Sequence, residues 1–321
     1  SLDSLRGQEF FTKIGQRVGE GQIGLSEAID EARSFKPYQI ATSVTESPLT
    51  LDSISSSRGT SGLYWRLEDL NRSLGPVQRG DFIVVPKRPE VGGTSFLVSE
   101  LSYMLEQTDG GKAILFNNEE EKGKVYSRMV SAALGIDYRT LMSDPNRYQV
   151  EYDKWLGDRE WTLHHDTNMT ISGIHEALEE KDYDLIGINV LLKVGTPGNK
   201  EDHDRLQELG TQCRIIAENY GPTFAIVQAD PSAEGMQYIP QDRIYKSKTA
   251  LQGEADGLIF IGTDEEIQDD VRYIHVAKNK IPPATCTIPK CKHIKSQVHF
   301  DYETGRFTSV NFKGQHSRGK T

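Results

Sequence analysis

Apolar residues follow two different patterns along this chain of 321 residues. Beyond about residue 62, short apolar runs rich in β-branched and aromatic residues alternate with stretches whose apolar positions recur at helical spacing. The predicted strands cover 82–85, 113–116, 161–163, 185–188, 224–227, 258–261 and 273–276. The predicted helices cover about 95–107, 119–134, 170–181 and 201–219. This alternation predicts an α/β fold with a twisted, mostly parallel sheet covered on both faces.

The two ends of the chain follow other patterns. Residues 7–35 carry two short amphipathic repeats, which predict two helices with one apolar face each. Residues 42–61 are rich in Ser and Thr and lack periodicity, which is typical of an extended linker. Near the other end, 297–300 and 306–311 flank a turn containing Gly305, which predicts a β-hairpin. The predicted organisation is therefore a helical arm and linker over 1–61, an α/β core over 62–312 and a basic tail over 313–321.

Charge is spread unevenly over the sequence. The formal net charge of -10 argues against an evenly basic nucleic-acid-binding protein. From Val271 onward, however, Lys and Arg greatly outnumber Asp and Glu, beginning with Arg272. This asymmetry indicates either a local strip that binds a polyanion or a solvated basic tail. No apolar run approaches the roughly 20 residues of a membrane span, and the three cysteines favour a reducing compartment, so we expect a cytoplasmic protein without a membrane partner.

Residues 80–97 read as a strand, a phosphate-binding turn and the start of a helix. A P-loop has the pattern G-x-x-x-x-G-K-[ST], but here Gly92 is followed by Gly93 in the place of the lysine and then by Thr94. Losing that lysine removes charge-assisted hydrogen bonds of about 1.5–3 kcal/mol each. Two alternatives remain open. Either Lys87 or Arg88, at the start of the same loop, reaches the phosphates in place of the missing lysine, or the protein has lost hydrolysis.

The ordered series of segments resembles the RecA-like ring helicases of the DnaB type, including the replicative helicases and helicase–primases of bacteriophages. The similarity covers about 62–311 and is densest at 88–97, where Arg-Pro-Glu-Val-Gly-Gly-Thr-Ser-Phe-Leu resembles the phage form R-P-E-T-G-K-T-T-F-L. The resemblance implies a RecA-like P-loop NTPase core, ATP or another nucleoside triphosphate with magnesium as cofactor, and single-stranded DNA as partner. It further implies a homo-oligomer, usually a ring of six, in which the N-terminal arm docks on the adjacent subunit, and contacts with other replication proteins.

The resemblance also implies roles for individual residues. Glu119, with Glu120 as second choice, occupies the place of the glutamate that orients the attacking water, although an acidic residue at a helix start also complements the helix dipole. Gln228 matches a sensor of the γ-phosphate, and Lys280 stands where an arginine finger is usual. Asn189 ends the strand whose last residue in the family is a magnesium-binding aspartate, so it has an oxygen but no charge.

Further positions complete the predicted sites. The expected cofactor-binding residues are Lys87, Arg88, Gly92, Gly93, Thr94, Ser95 and Asn189, with Thr94 and Asn189 as a weak magnesium site. Lys246 and Lys248 match the stretch that lines the central channel, and they are equally well explained as two solvated lysines.

Two functions of different classes follow from this pattern. Because both the phosphate lysine and the metal carboxylate are missing, the favoured hypothesis is a helicase-like protein with a decayed ATPase site, kept as an oligomeric DNA-binding scaffold in replication. The alternative is an active ATP-dependent helicase that uses a non-standard P-loop.

Overall fold

A computed structural model describes residues 2–33, 62–179, 181–197, 201–245, 250–264, 270–283 and 285–310. Its helices are α1 (Leu2–Gly19), α2 (Leu25–Arg33), α3 (Glu68–Ser73), α4 (Gly93–Glu106), α5 (Lys122–Leu134), α6 (Tyr138–Ser143), α7 (Pro145–Leu156), α8 (Ile171–Glu179), α9 (Asp202–Asn219), α10 (Ala250–Glu254) and α11 (Pro289–Lys292). Its strands are β1 (Phe82–Lys87), β2 (Lys112–Asn117), β3 (Glu160–His165), β4 (Leu185–Asn189), β5 (Thr223–Gln228), β6 (Gly257–Gly262), β7 (Val271–Asn279), β8 (Lys295–Asp301) and β9 (Arg306–Ser309).

Within the described ranges the strands form one sheet in the order β3-β2-β4-β5-β1-β6-β7-β8-β9. Neighbours from β3 to β6 are parallel, and β7, β8 and β9 continue the sheet in antiparallel fashion. The carboxyl ends of β1, β2, β4 and β5 therefore meet at one edge, which is where ligands bind in sheets of this kind.

Alternate residues of each strand point to opposite faces of the sheet. Both faces are buried, because a separate apolar core packs on each of them. On β1, Ile83 and Val85 join a core that includes Leu97 and Leu101 of α4. Phe82 and Val84 of β1 belong to the second core, to which α8 and α9 also contribute. The predicted α/β class with a mostly parallel sheet is confirmed.

The seven predicted strands and the closing hairpin all form, with bounds that differ by a few residues. Two helices between β2 and β3, α6 and α7, were not predicted. Only Tyr148 and Tyr152 of α7 are buried, so its apolar pattern is thin. The helix instead begins with a capping aspartate, Asp144, which accepts a hydrogen bond from Arg147 N at 3.2 Å and precedes Pro145.

The N-terminal arm consists of two helices, as predicted. Ile14, Ile23 and Ala28 form a small cluster between α1 and α2. The arm lies against α8 of its own chain, where Thr170 Oγ1 donates a hydrogen bond to Glu9 at 3.1 Å. Docking of the arm on an adjacent subunit remains a prediction, and the predicted linker (42–61) and basic tail (313–321) lie outside the described residues. No helix in the described ranges is both long enough and apolar enough to cross a lipid bilayer.

The basic segment after Val271 is not a uniform surface strip. Arg272 is only 4% exposed, and its guanidinium donates a hydrogen bond to Val91 O at 3.0 Å. Arg306 Nε donates to Ala132 O at 2.7 Å. These two arginines serve the packing of the core, so they cannot belong to a solvated strip.

Candidate functional site

A cavity of about 500 Å³ lies where β1 and β5 end and the loop from β1 enters α4. It collects charged and polar residues that are far apart in the sequence. Its lining consists of Lys87, Pro89, Glu90, Gly92, Gly93, Thr94, Ser95, Glu119, Glu120, Arg128, Gln228, Phe300 and Tyr302. Most of the cofactor residues predicted from the sequence therefore share one pocket.

The loop between β1 and α4 has the backbone of an anion-binding turn. Gly92 has φ +94°, a left-handed conformation that glycine adopts without strain, and it caps α4 at Gly93. A Cβ atom at Gly92 would also lie 3.2 Å from Phe300 Cζ. The first N–H groups of α4, which have no partners within the helix, begin at the wall of the cavity and suit an anion.

Lys87 occupies the space that a side chain at position 93 would need. A Cβ atom on Gly93 would lie 2.9 Å from both Cγ and Cε of Lys87, which is closer than carbon atoms approach. The Lys87 side chain is 8% exposed, and no hydrogen bond or ion pair to another described residue engages its ammonium group. Burial lowers the pKa of Lys87, against the opposing effect of Glu119 and Glu120. Position 93 has no cationic side chain, but the cavity contains the ammonium group of Lys87, the last residue of β1.

Arg88, the other candidate replacement, is engaged elsewhere. Its Nε lies 2.6 Å from a carboxylate oxygen of Glu234, and its Nη1 donates to Ala229 O at 3.1 Å. Arg88 does not line the cavity. Of the two basic residues that begin the loop, the geometry favours Lys87.

Asn189 lies beneath the cavity and is fully buried. Its Nδ2 donates to Asn117 Oδ1 at 3.3 Å and to Thr94 Oγ1 at 3.2 Å, while its Oδ1 lies 3.5 Å from the same hydroxyl. The amide of Asn117 is oriented by its own partners, because its Nδ2 donates to Glu120 O at 2.6 Å. Its Oδ1 must therefore accept hydrogen bonds, which favours the orientation in which Asn189 donates through Nδ2.

The three consecutive glutamates after β2 have separate partners. Glu121 is the N-cap of α5, and its carboxylate accepts hydrogen bonds from Gly123 N and Lys124 N at 2.8 and 3.0 Å. Helix capping is therefore the role of Glu121, whereas Glu119 and Glu120 face the cavity.

Glu119 and Glu120 are held by different groups. An oxygen of Glu119 lies 2.9 Å from Lys193 Nζ. Glu120 Oε1 accepts a hydrogen bond from Thr94 Oγ1 at 2.8 Å, and Arg128 Nη1 lies 2.7 and 2.6 Å from its two oxygens. The carboxylate closest to the P-loop hydroxyl is therefore Glu120.

The remaining predicted residues fall in different places. Gln228 pairs with Lys87 in the register of β5 and β1 and lines the cavity. Lys280 is exposed near the end of the sheet where β1 begins, opposite the cavity, and its Nζ donates to Gly253 O at 2.8 Å. Lys246 and Lys248 lie outside the described residues.

Sequence reasoning missed several residues of the site, among them Asn117, Arg128 and Tyr302. Asn117 closes an apolar strand with a polar side chain, which was a usable signal. Arg128 and Tyr302 carried no local signal, because the fold alone brings α5 and the β8–β9 hairpin to the P-loop. Both also line an adjoining cavity of about 830 Å³ between α5, α6, α7 and that hairpin.

Comparisons with known proteins agree with this geometry. A family model described as the DnaB-like helicase C-terminal domain matches residues 62–307. A search of curated protein sequences finds no match to this chain.

Solved structures resemble the fold at low sequence identity. A structure described as an ATPase domain matches with a TM-score of 0.66 and 15% identity, over 81% of this chain and 95% of that one. A structure described as a DnaB-like replicative helicase and its interactions with primase matches with a TM-score of 0.68 and 15% identity, over 96% of this chain and 78% of that one. The family match extends over most of the chain, and by it the protein belongs to the DnaB-like helicase C-terminal domain family.

Proposed function

We propose that this chain is the ATP-driven motor of a DNA helicase in which Lys87 replaces the P-loop lysine. One observation carries the proposal: the buried Lys87 side chain packs on Gly93, and its ammonium has no hydrogen bond or ion pair within the described residues. The stem of Lys87 is buried and its ammonium faces the cavity, and a charge that has lost part of its water is stabilised by a ligand of opposite charge. A polyphosphate at the N-terminus of α4 supplies that charge and favours the working motor over the decayed scaffold.

The other lining residues fit the parts that such a reaction needs. The backbone N–H groups of Gly92, Gly93, Thr94 and Ser95 suit the phosphate oxygens. Glu119 is the residue to orient the attacking water, and Gln228 is the residue to contact the terminal phosphate. The adjoining larger cavity leaves room for the rest of the nucleotide.

A magnesium ion fits the same pocket on chemical grounds. Thr94 offers a hydroxyl oxygen and Glu120 a carboxylate oxygen, both of the hard oxygen type that magnesium prefers. When bound with the nucleotide, the ion would neutralise part of the phosphate charge. Asn189, the residue expected from the sequence to take part, contributes at most an amide oxygen.

The position of Lys280 supports assembly of several copies. It is exposed and lies at the end of the sheet opposite the cavity, so it cannot reach the nucleotide of its own chain. In the proposed ring of six, we assign it to the nucleotide of the neighbouring copy, as a finger residue. In such a ring, single-stranded DNA would pass along Lys246 and Lys248, and other replication proteins would bind outside.

A second candidate function keeps the same assembly without turnover. Asn189 carries no charge, and Lys280 lacks the planar fork with which arginine grips a phosphate. Both departures favour a DNA-binding scaffold that descends from a helicase. The two candidates differ in one measurable quantity, ATP turnover.

Steady-state ATP hydrolysis with magnesium, with and without single-stranded DNA, separates them. We expect DNA-stimulated turnover that falls by about a hundredfold or more in Lys87→Ala, because charge-assisted hydrogen bonds contribute about 1.5–3 kcal/mol each. Arg88→Ala is the matched control and should retain most of the activity, since Arg88 is paired with Glu234. Turnover no greater than that of Glu119→Gln would favour the scaffold.

DNA binding has its own test, independent of hydrolysis. If lysines in a channel contact the phosphates, the affinity for a single-stranded oligonucleotide must fall steeply as salt rises. Replacing both Lys246 and Lys248 by Ala should flatten that dependence. Binding that does not respond to salt would contradict the channel.

A further inference from the structure

Asn189 acts as a hydrogen-bond donor in this protein. Its Nδ2 reaches Asn117 Oδ1 and Thr94 Oγ1 at 3.3 and 3.2 Å, and the Asn117 amide is fixed by donating to Glu120 O. An ionised aspartate accepts hydrogen bonds only, so it could not donate to Asn117 Oδ1, although it could accept one from the Thr94 hydroxyl. The fully buried position that holds the metal carboxylate in related proteins is here committed to orienting its neighbours.

Glu120 places a carboxylate at the point where the charge is missing. Its Oε1 lies 2.8 Å from Thr94 Oγ1. Its backbone is fixed by Asn117, which donates to Glu120 O at 2.6 Å and accepts from Glu120 N at 3.4 Å. The hydrogen bonds of Asn189 and Asn117 thus position both the Thr94 hydroxyl and the Glu120 main chain.

We infer that Glu120, with Thr94, holds the magnesium ion of the bound nucleotide, in place of the strand carboxylate absent at Asn189. The inference rests on the proposed function and assigns its metal site. An independent observation points to a ligand here: Lys87, more than nine-tenths buried and without a hydrogen bond or ion pair in the described ranges, lines the same cavity. A hydroxyl and a carboxylate form a donor set that suits magnesium.

Arg128 positions this carboxylate when the metal is absent. Its Nη1 lies within 2.7 Å of both oxygens of Glu120. A carboxylate has about four lone-pair sites, so it can accept from Arg128 and Thr94 and still bind a cation. Glu119 is separated from this role by its ion pair with Lys193 at 2.9 Å, which leaves it for the attacking water.

The run of three glutamates allows a matched test. The affinity of a fluorescent, non-hydrolysable ATP analogue is measured in magnesium and in EDTA for the unmodified chain and for Glu119→Gln, Glu120→Gln and Glu121→Gln. The ratio of the two affinities reports metal binding without any turnover. We expect Glu120→Gln to lose the magnesium-dependent gain by at least about tenfold, as losses at metal sites do, with its affinity in EDTA unchanged.

The other variants and the EDTA values make the result unambiguous. Glu121→Gln, whose carboxylate caps α5, should keep the magnesium-dependent gain, and Glu119→Gln should reduce it less than Glu120→Gln does. A full gain in Glu120→Gln, or a loss of affinity in EDTA as large as that in magnesium, would overturn the inference, the latter because it indicates a structural role. An unmodified chain that binds no analogue under either condition would instead remove the proposed function itself.

Discussion

The pocket has two proposed halves, a phosphate half around Lys87 and a metal half around Glu120. Each lacks a residue that the family has, and the two proposed replacements differ in kind. In the phosphate half, Lys87 and position 93 compete for one volume, since a Cβ on Gly93 would lie 2.9 Å from the lysine stem. In the metal half, Asn189 is linked through Thr94 and Asn117 to a carboxylate on another segment, Glu120. One replacement is steric and lies within one loop, whereas the other depends on a hydrogen-bond network across three segments.

This difference shows why counting motif residues underestimates the site. A motif position can lose its charged residue while the pocket keeps the charge, because the fold brings a different charged residue to the same place. The steric replacement couples its two positions tightly, so a single reversion must be harmful. The network replacement is also sensitive to single changes, because a buried hydrogen-bond network that loses one member leaves the remaining polar groups without partners.

The strongest test of the steric replacement exchanges the two residues. Lys87→Gly alone should weaken binding of an ATP analogue by about a hundredfold, equivalent to about 3 kcal/mol, because the charged hydrogen bonds are lost. Gly93→Lys alone should destabilise the chain by about 1–3 kcal/mol through overpacking. The double variant should recover most of the affinity for the ATP analogue and most of the stability, as measured by analogue binding and thermal unfolding.

The exchange has a clear contrary outcome. If the double variant binds no better than Lys87→Gly, the two positions are not equivalent in space. Arg88→Gly controls for the loss of any cation from the loop and should leave binding nearly unchanged.

Restoring the family carboxylate tests the network replacement. Asn189→Asp loses the Nδ2 donor to Asn117 and sets a second carboxylate near Glu120 in a fully buried place. Without metal, we expect a loss of about 1–3 kcal/mol in the free energy of unfolding, because buried donors and acceptors lose their partners. Magnesium with an ATP analogue should reduce that loss.

A neighbouring asparagine supplies the control for this change. Asn118 is also buried, and its side chain pairs with both the N–H and the C=O of Val190 at 2.7 and 3.1 Å. Asn118→Asp should be destabilised to the same extent with and without magnesium. An equal response of the two variants to the metal would speak against a metal half at Asn189.

The pH dependence of binding separates the two halves again. Burial lowers the pKa of Lys87, and the other charged groups acting on it are Glu119, Glu120, Lys193 and Arg88. Only the protonated amine attracts phosphate, so affinity must fall as pH rises through this depressed pKa, earlier than for an ordinary lysine. Lys87→Arg should abolish this early fall, because a guanidinium stays charged over the whole range in which a lysine titrates. A fall that persists in Lys87→Arg would assign it to another group.

Much of the fold was predictable because the buried strands carry their own signal. Apolar runs such as that of β4, which is buried throughout, stand out from the helical stretches around them. The polar helix α7 was missed, because tertiary contacts of Tyr148 and Tyr152 hold it and its apolar pattern is thin. The sequence signal for α7 was the Asp144–Pro145 pair at its N-terminus, which a search for apolar periodicity does not detect.

The site was predictable as a set of positions, but its chemistry was not. The sequence indicated Lys87 and Arg88 equally as replacements, and only the packing of Lys87 on Gly93 distinguishes them. It ranked Glu119 above Glu120 by position in the motif, and gave no sign that Glu120 and Thr94 share a hydrogen bond. Such contacts join segments that are distant in sequence, and their register depends on the folded sheet.

The smallest predicted effect concerns Arg128, which holds Glu120 in the metal half. The pair is partly exposed, with 37% and 25% of the two side chains accessible, so its loss should change the free energy of unfolding by less than about 1 kcal/mol. Removing this competing cation in Arg128→Ala should nevertheless lower the magnesium concentration needed for half-maximal analogue binding by a few-fold. Arg147→Ala, which breaks an exposed pair with Glu151 and lines neither of the two cavities, is the control. An unchanged magnesium requirement in Arg128→Ala would mean that Arg128 and the metal ion do not compete for the oxygens of Glu120.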